Sequence, residues 1–260
     1  MDTFILVFAT VLGLLFGSFL NVCIYRIPRD KSIVWPPSSC PKCAHRIAWY
    51  DNIPVLSYLV LGGKCRNCKN PISIQYPIIE LLTGVLTFVF VWRYGLTPWT
   101  FVVLAAVYAL IVLSVIDLEL MIIPDRFSLG LIVLGLAFAW LNPNFTGVWW
   151  QRELSSLLGA AVGLFGVLAI ALIGTWWFKK EAMGGGDVKL MGGIGALIGW
   201  QGVITTIVFA SFFGLIYAVF LMIFKGKKGE DAIPFGPFLS LGALINLFYL
   251  IAPSMLVIEL

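Results

Sequence analysis

The chain has 260 residues, is 60% hydrophobic and 12% charged, and has a mean hydropathy of +0.99 with a formal charge of +4. Soluble globular domains carry about 25% charged residues, so this composition excludes a water-soluble fold and points to an all-α polytopic membrane protein. The excess of positive charge is not a nucleic-acid surface, because the lysines and arginines are sorted by loop, which carries topology; membrane lipid, and no nucleic acid, is the expected environment.

The first apolar run, residues 3 to 25, has Asp2 before it and Arg26, Arg29 and Lys31 after it. A cleaved signal peptide has the opposite charge order, so the pattern predicts a retained first span with its N-terminus outside the cytoplasm. Further apolar runs fall near 74 to 92, 98 to 116, 127 to 141, 152 to 178, 187 to 199, 201 to 224 and 236 to 258. Together these predict about eight spans across roughly 30 Å of hydrocarbon. The runs at 127 to 141 and 187 to 199 are short and the junction at Trp200 and Gln201 is tight, which leaves seven spans open.

With eight alternating spans, the segments 26 to 73, 117 to 126, 179 to 186 and 225 to 235 share one side. Of 17 basic residues only Arg93 and Arg152 then remain for the other face. By the positive-inside rule the basic side is cytoplasmic. The predicted parts are a first span at 1 to 25, a cytoplasmic segment at 26 to 73, and a transmembrane part from 74 to 260.

The cytoplasmic segment contains CPKC at 40 to 43 and CRNC at 65 to 68, separated by 21 residues. Two such pairs present four sulfurs to one tetrahedral ion, the pattern of a four-thiolate zinc site formed by Cys40, Cys43, Cys65 and Cys68. A disulfide scaffold is the alternative, and a reducing cytoplasm disfavours it. Four thiolates close the coordination shell, so the zinc is expected to be structural, a staple for a segment too small for its own core. His45, the single histidine, could substitute as a ligand but is expected to be a solvated loop residue. Cys23, alone in the first span, reads as a small apolar packing group.

Among 13 acidic residues, four lie in or at the edge of spans: Glu80, Asp117, Asp125 and Asp187. A carboxylate at mid-span costs roughly 2.5–3.5 kcal/mol on insertion scales, so each needs a reason. Asp117 ends the third span and Asp187 begins the sixth, which puts them at one membrane level on different helices. Two carboxylates that meet share a proton: one accepts the proton of an attacking water while the other, protonated, polarises a scissile carbonyl. Gly184, Gly185 and Gly186 would let an extended peptide approach the acid. The alternative for Asp187 is a helix cap in a flexible loop. Lys189 reads as a snorkelling residue. GGIGALIG at 192 to 199 imitates a nucleotide-binding fingerprint but lies in a membrane span, where small residues instead allow close helix packing.

These residues resemble the type IV prepilin peptidases. GGGDVK at 184 to 189 matches their Gly-x-Gly-Asp-x-Lys signature and DLELMIIPD at 117 to 125 their first aspartate motif. GSFLNVCIYRIP at 17 to 28, NIPVLSYLVLGGKCRNC at 52 to 68 and PISIQYPIIELLTG at 71 to 84 extend the likeness over nearly the whole chain. The resemblance implies a bifunctional enzyme of the bacterial inner membrane. Such enzymes remove the basic leader of type IV prepilins or pseudopilins at the cytoplasmic boundary, then N-methylate the new terminus with S-adenosylmethionine. It implies Asp117 and Asp187 as the protease pair and the cysteine segment as part of the methylating half. Glu80 is a candidate acid near the methyl-donor site, its alternative being a helix–helix hydrogen bond. A peptidase without methylation is one alternative; a transporter or assembly scaffold with a zinc loop is another.

Overall fold

Hydrocarbon offers no hydrogen bonds, so a spanning backbone must satisfy its own N–H and C=O groups, and helices do so within one segment. The computed structural model describes residues 2–180, 183–225 and 233–255. Among them the only β-pairing is two isolated antiparallel bridges, Ser39 with Arg46 and Lys64 with Pro71. The expected basic loop at 225 to 235, with Lys227 and Lys228, falls largely outside the described residues, as does the end of the last expected span. The chain divides into two compact units, Met1–Thr100 and Phe101–Leu260.

The N-terminal unit is built on α1 (Thr3–Arg26) and α3 (Gln75–Tyr94), with a short α2 (Leu56–Val60) between them. α1 and α3 pack through residues without bulk. A Cβ added at Gly17 would sit 2.6 Å from the Cα of Glu80, and one at Gly84 would sit 2.7 Å from the Leu14 side chain. Such close backbones are how membrane helices gain van der Waals contact. The Asn21 side-chain amide donates to Gly17 O and to Tyr76 O, both at 3.2 Å, and so ties the end of α1 to the start of α3. Between residues 27 and 74 only Cys40 and Pro54 are buried, and Trp49 is 81% exposed. This segment has no apolar core of its own.

The C-terminal unit contains α4 (Pro98–Leu120), α5 (Asp125–Ala137), α6 (Trp149–Ala161), α7 (Val167–Phe178), α8 (Gly185–Lys225) and α9 (Gly236–Phe248). A π-helical turn, Val162–Gly166, joins α6 to α7. Thus the predicted apolar runs fall on helices, the runs at 187 to 199 and 201 to 224 being the two halves of α8, but the last run, expected to 258, is α-helical only as far as Phe248, where Tyr249 turns extended. Among the described residues, five helical segments are long and apolar enough to cross a membrane: Thr3–Arg29, Gln75–Tyr94, Pro98–Leu120, Trp149–Trp177 and Gly185–Phe224. α5 and α9, at 13 residues each, are only about 20 Å long, short of the roughly 30 Å hydrocarbon layer.

α8 is the centre of this unit and packs on α5, α6, the π turn and α9. Leu190, Met191, Ile194, Leu197 and Ile198 are each at most 1% exposed. Gly159 and Gly195 bring α6 and α8 into backbone contact, Gly163 does the same against the Met191 carbonyl, and a Cβ at Gly193 would meet Leu131 of α5 at 2.7 Å. These are the small residues that imitate a nucleotide fingerprint, and their use is helix packing.

α8 breaks at Gly199, whose φ of 73° and ψ of 176° suit glycine alone. A break orphans the carbonyls of the preceding turn. Two buried side chains from outside the helix answer them: Ser156 Oγ donates to Ala196 O at 2.6 Å, and Asn142 Nδ2 donates to Leu197 O at 2.7 Å. Asn142 Oδ1 meanwhile accepts from the Asn144 N–H at 3.0 Å. Asn142→Asp keeps that acceptor but removes the donor, leaving the Leu197 carbonyl unsatisfied. Both Asn142→Ala and Asn142→Asp are expected to destabilise the protein by about 1–3 kcal/mol, read as a lower melting temperature in detergent.

Candidate functional site

Asp117 lies in the last turn of α4 and is 5% exposed. α4 closes just after it: Met121, at φ 55°, returns its N–H to Asp117 O at 2.9 Å. The carboxylate Oδ2 accepts a 2.9 Å hydrogen bond from the backbone N–H of Gly236, the first residue of α9. The first N–H groups of a helix have no partner within it, and the helix dipole favours a negative group there. A Cβ on Gly236 would come within 2.8 Å of that same oxygen, so the approach requires glycine.

Asp187 lies in the first turn of α8. The Gly184 backbone amide hydrogen-bonds its carboxylate, while Oδ1 is buried with no partner. Its charge and that of Asp117 are close enough to act on one another. The two aspartates expected to meet from their membrane level are therefore brought together. Ile123, in the loop after α4, packs beside both: a Cβ on Gly186 would be 2.9 Å from its Cβ, and one on Gly236 would be 3.2 Å from its Cδ1.

The three glycines before α8 do different jobs. Gly186 is small because Ile123 occupies the space, a Cβ on Gly184 would come 3.3 Å from the Asp187 carboxylate, and a Cβ on Gly185 would meet nothing within 4 Å. Only Gly185 leaves room that the chain itself does not fill. Lys189 does not snorkel free, as the sequence suggests. Its Nζ donates to both oxygens of Asp125 at 2.8 Å, with the two side chains 43% and 56% exposed. This pair joins the loop following Asp117 to the turn carrying Asp187. Being solvated, it contributes roughly 0–1 kcal/mol to stability, and its consequence is registry. Sequence alone did not reveal it, since its partners are 64 residues apart.

In the N-terminal unit, the two Cys-x-x-Cys turns share one fold. Cys40 N–H donates to His45 O at 2.9 Å, and Cys65 N–H donates to Asn70 O at 2.8 Å. Ala44 and Lys69, at φ 55° and 58°, turn the chain and return their N–H groups to Cys40 O and Cys65 O. Ile47 N–H pairs with Ser38 O and Ile72 N–H with Gly63 O, closing each turn in the same way. The result is four sulfurs, all within 4.8 Å of one another.

A tetrahedral ion with Zn–S bonds of about 2.3 Å separates its sulfurs by about 3.8 Å, and Cys40 Sγ and Cys68 Sγ are 3.8 Å apart. The cluster could hold a metal ion, and all five cysteines are free of disulfides. The Asn70 backbone N–H, with its side-chain amide 3.3 Å from the sulfur, lowers the Cys68 thiol to about 6, favouring the thiolate that metals bind. Asn67 Nδ2 lies 3.7 Å from Cys43 Sγ. His45 is exposed and contributes only its backbone; Cys23 is buried in α1.

Glu80 is 7% exposed on α3. Its Oε2 accepts from the Val55 N–H at 2.7 Å, just before α2, and its carboxylate also hydrogen-bonds the Ser18 side chain of α1, so the expected helix–helix hydrogen bond is present.

Two family models match the chain. Residues 11–94 match the bacterial peptidase A24 N-terminal domain, and residues 104–219 match the type IV leader peptidase family. The chain is 40% identical over 223 residues to a prepilin leader peptidase/N-methyltransferase of Myxococcus xanthus, covering 86% of this chain and 65% of that relative's length. It is 36% identical over 267 residues to the prepilin leader peptidase/N-methyltransferase of Pseudomonas putida, covering 93% of this chain and 89% of the relative. It is also 36% identical to the type 4 prepilin-like proteins leader peptide-processing enzyme of Escherichia coli, covering 93% of each. No solved structure matches. With both halves matched and the Pseudomonas and Escherichia relatives covered over about nine-tenths of their length, this membrane protein belongs to the type IV leader peptidase family.

Proposed function

We propose that the protein removes the basic leader from type IV prepilin or pseudopilin precursors and then N-methylates the new N-terminal residue. The observation that carries the first step is the meeting of Asp117 and Asp187, each held at a helix end and one of them with a buried oxygen lacking any protein partner. Like charges that act on one another favour one shared proton, and the titration would then belong to the pair. The ionised member takes a proton from water as its oxygen attacks the scissile carbonyl carbon. The protonated member donates a hydrogen bond to the carbonyl oxygen. Collapse of the tetrahedral intermediate breaks the C–N bond, and the amine leaves with a proton from the pair, which returns to its starting state.

A prepilin has its basic leader in the cytoplasm and its apolar helix in the membrane, so the bond between them lies at the boundary. The positive-inside pattern supports the same level for both aspartates, with the N-terminus periplasmic and the cysteine segment cytoplasmic in the bacterial inner membrane. We assign peptide cleavage to the transmembrane part from 74 to 260 and methylation to the cysteine-bearing segment 26 to 73. Cys40, Cys43, Cys65 and Cys68 would hold a structural Zn2+ that orders a segment without an apolar core. S-adenosylmethionine supplies an electrophilic methyl group when bound.

Incubating purified protein and precursor in detergent, with and without S-adenosylmethionine, tests both activities by mass spectrometry of the product. Leader loss is expected in both samples and one added methyl group only with the donor. Asp117→Ala and Asp187→Ala are each expected to slow leader removal by roughly 10²–10⁴-fold with metal content and melting unchanged; cleavage at the wild-type rate by either variant would defeat the paired-acid mechanism. Elemental analysis is expected to find one zinc ion per chain. Cys43→Ser and Cys68→Ser should lose it, and with it methylation, while leader removal persists.

A further inference from the structure

The N-terminal unit contains a cavity of about 700 Å3, within the range that takes small-molecule ligands. Its walls come from the end of α1, the start of α3 and both cysteine turns, and include Asn21, Cys40, Arg46, Tyr58, Tyr76 and Glu80. Glu80 is the unusual member. Its carboxylate is almost wholly out of water, accepts hydrogen bonds from the Val55 N–H and the Ser18 hydroxyl, both neutral donors, and has no cationic side chain within ion-pair distance among the described residues. A buried carboxylate without a counter-charge is strongly unfavourable, and a cationic ligand group supplies what the protein omits.

We propose that this cavity is the methyl-donor site, with Glu80 receiving the cationic sulfonium of S-adenosylmethionine. The inference rests on the methylation reading above and extends it from the cysteine segment to α1 and α3. A sulfonium carries a fixed charge that no proton loss can remove, so a carboxylate discriminates it from the neutral thioether left after methyl transfer. The rest of the cavity suits the remainder of the molecule. Asn21 spends both amide hydrogens on Gly17 O and Tyr76 O, leaving its Oδ1 to accept from a ligand hydroxyl or amine. Tyr58 and Tyr76 offer ring faces for a purine or a cation. Arg46, exposed on the same wall, matches a ligand carboxylate. Because Cys40 and Cys65 also line the cavity, the metal cluster and the ligand site share a wall.

The test is binding to the full-length protein in detergent, with affinities measured by equilibrium dialysis for S-adenosylmethionine and for its uncharged counterpart S-adenosylhomocysteine. Wild type is expected to prefer the charged ligand at least tenfold. Glu80→Gln, which keeps an acceptor for the Val55 N–H, should lose that preference while binding S-adenosylhomocysteine as before. A variant that retains the preference overturns the assignment of Glu80. If the variant binds neither ligand, ultraviolet cross-linking of labelled S-adenosylmethionine to wild type decides: label on peptides within residues 18 to 80 is expected, and label confined to residues beyond 100 overturns the site. Wild type that binds neither ligand defeats the methylation reading itself, with leader removal untouched, whereas binding with unaltered selectivity in Glu80→Gln defeats only the location.

Discussion

A helix broken inside a protein must find donors for the carbonyls it strands, and at Gly199 that requirement governs the C-terminal unit. Ser156 and Asn142 reach the Ala196 and Leu197 carbonyls from other segments, and the Gly159–Gly195 contact leaves no slack between α6 and α8. The axial position of α8 is thereby fixed from its buried middle. Asp187, three turns upstream, inherits its place from this lock. A slip of α8 by one residue would break two buried hydrogen bonds and drive backbone into backbone.

The acids are handled by main chain more than by side chains. Asp117 receives a peptide N–H from the start of α9, and Asp187 one from Gly184. Among the described residues neither makes an ion pair with a basic side chain, which would fix it as a permanent anion. The basic residue of the motif, Lys189, is taken up by Asp125 instead. That division leaves two carboxylates without an ion-pair partner and a separate ion pair, Lys189 with Asp125, beside them. In the N-terminal unit, Glu80 likewise has neutral donors, the Val55 N–H and the Ser18 side chain.

Much of this was legible in the sequence because it depends on spacing along the chain. The cysteine pairs encode their own turns, since each needs only local hydrogen bonds and one left-handed residue. Asp117 and Asp187 reveal themselves by adjoining apolar runs whose lengths set their depth. What was hidden depends on distant partners. Lys189 gives no local sign of Asp125; Gly186 looks like space for a substrate and is filled by Ile123; the tight junction at Trp200 and Gln201 conceals a glycine break whose carbonyls are answered from α6 and from Asn142. Glu80 suggests a partner on a neighbouring helix and has one in Ser18, but its second hydrogen bond, from a loop residue held at φ 61°, gives no sign in the sequence. Each of these requires the folded chain to bring the two ends of the interaction together.

The bond between Gly236 and Asp117 has a meaning for how such a chain can vary. Its donor is a main-chain atom, present whatever side chains α9 carries, so the bond itself sets no requirement on the identity of the side chains that follow in α9. The exposure to change is confined to Gly236 itself, where the smallest added side chain would strike the carboxylate oxygen. A single position thus bears the whole sequence constraint of that anchor, while the rest of α9 answers to its own packing, with Leu239, Ala243 and Leu247 buried.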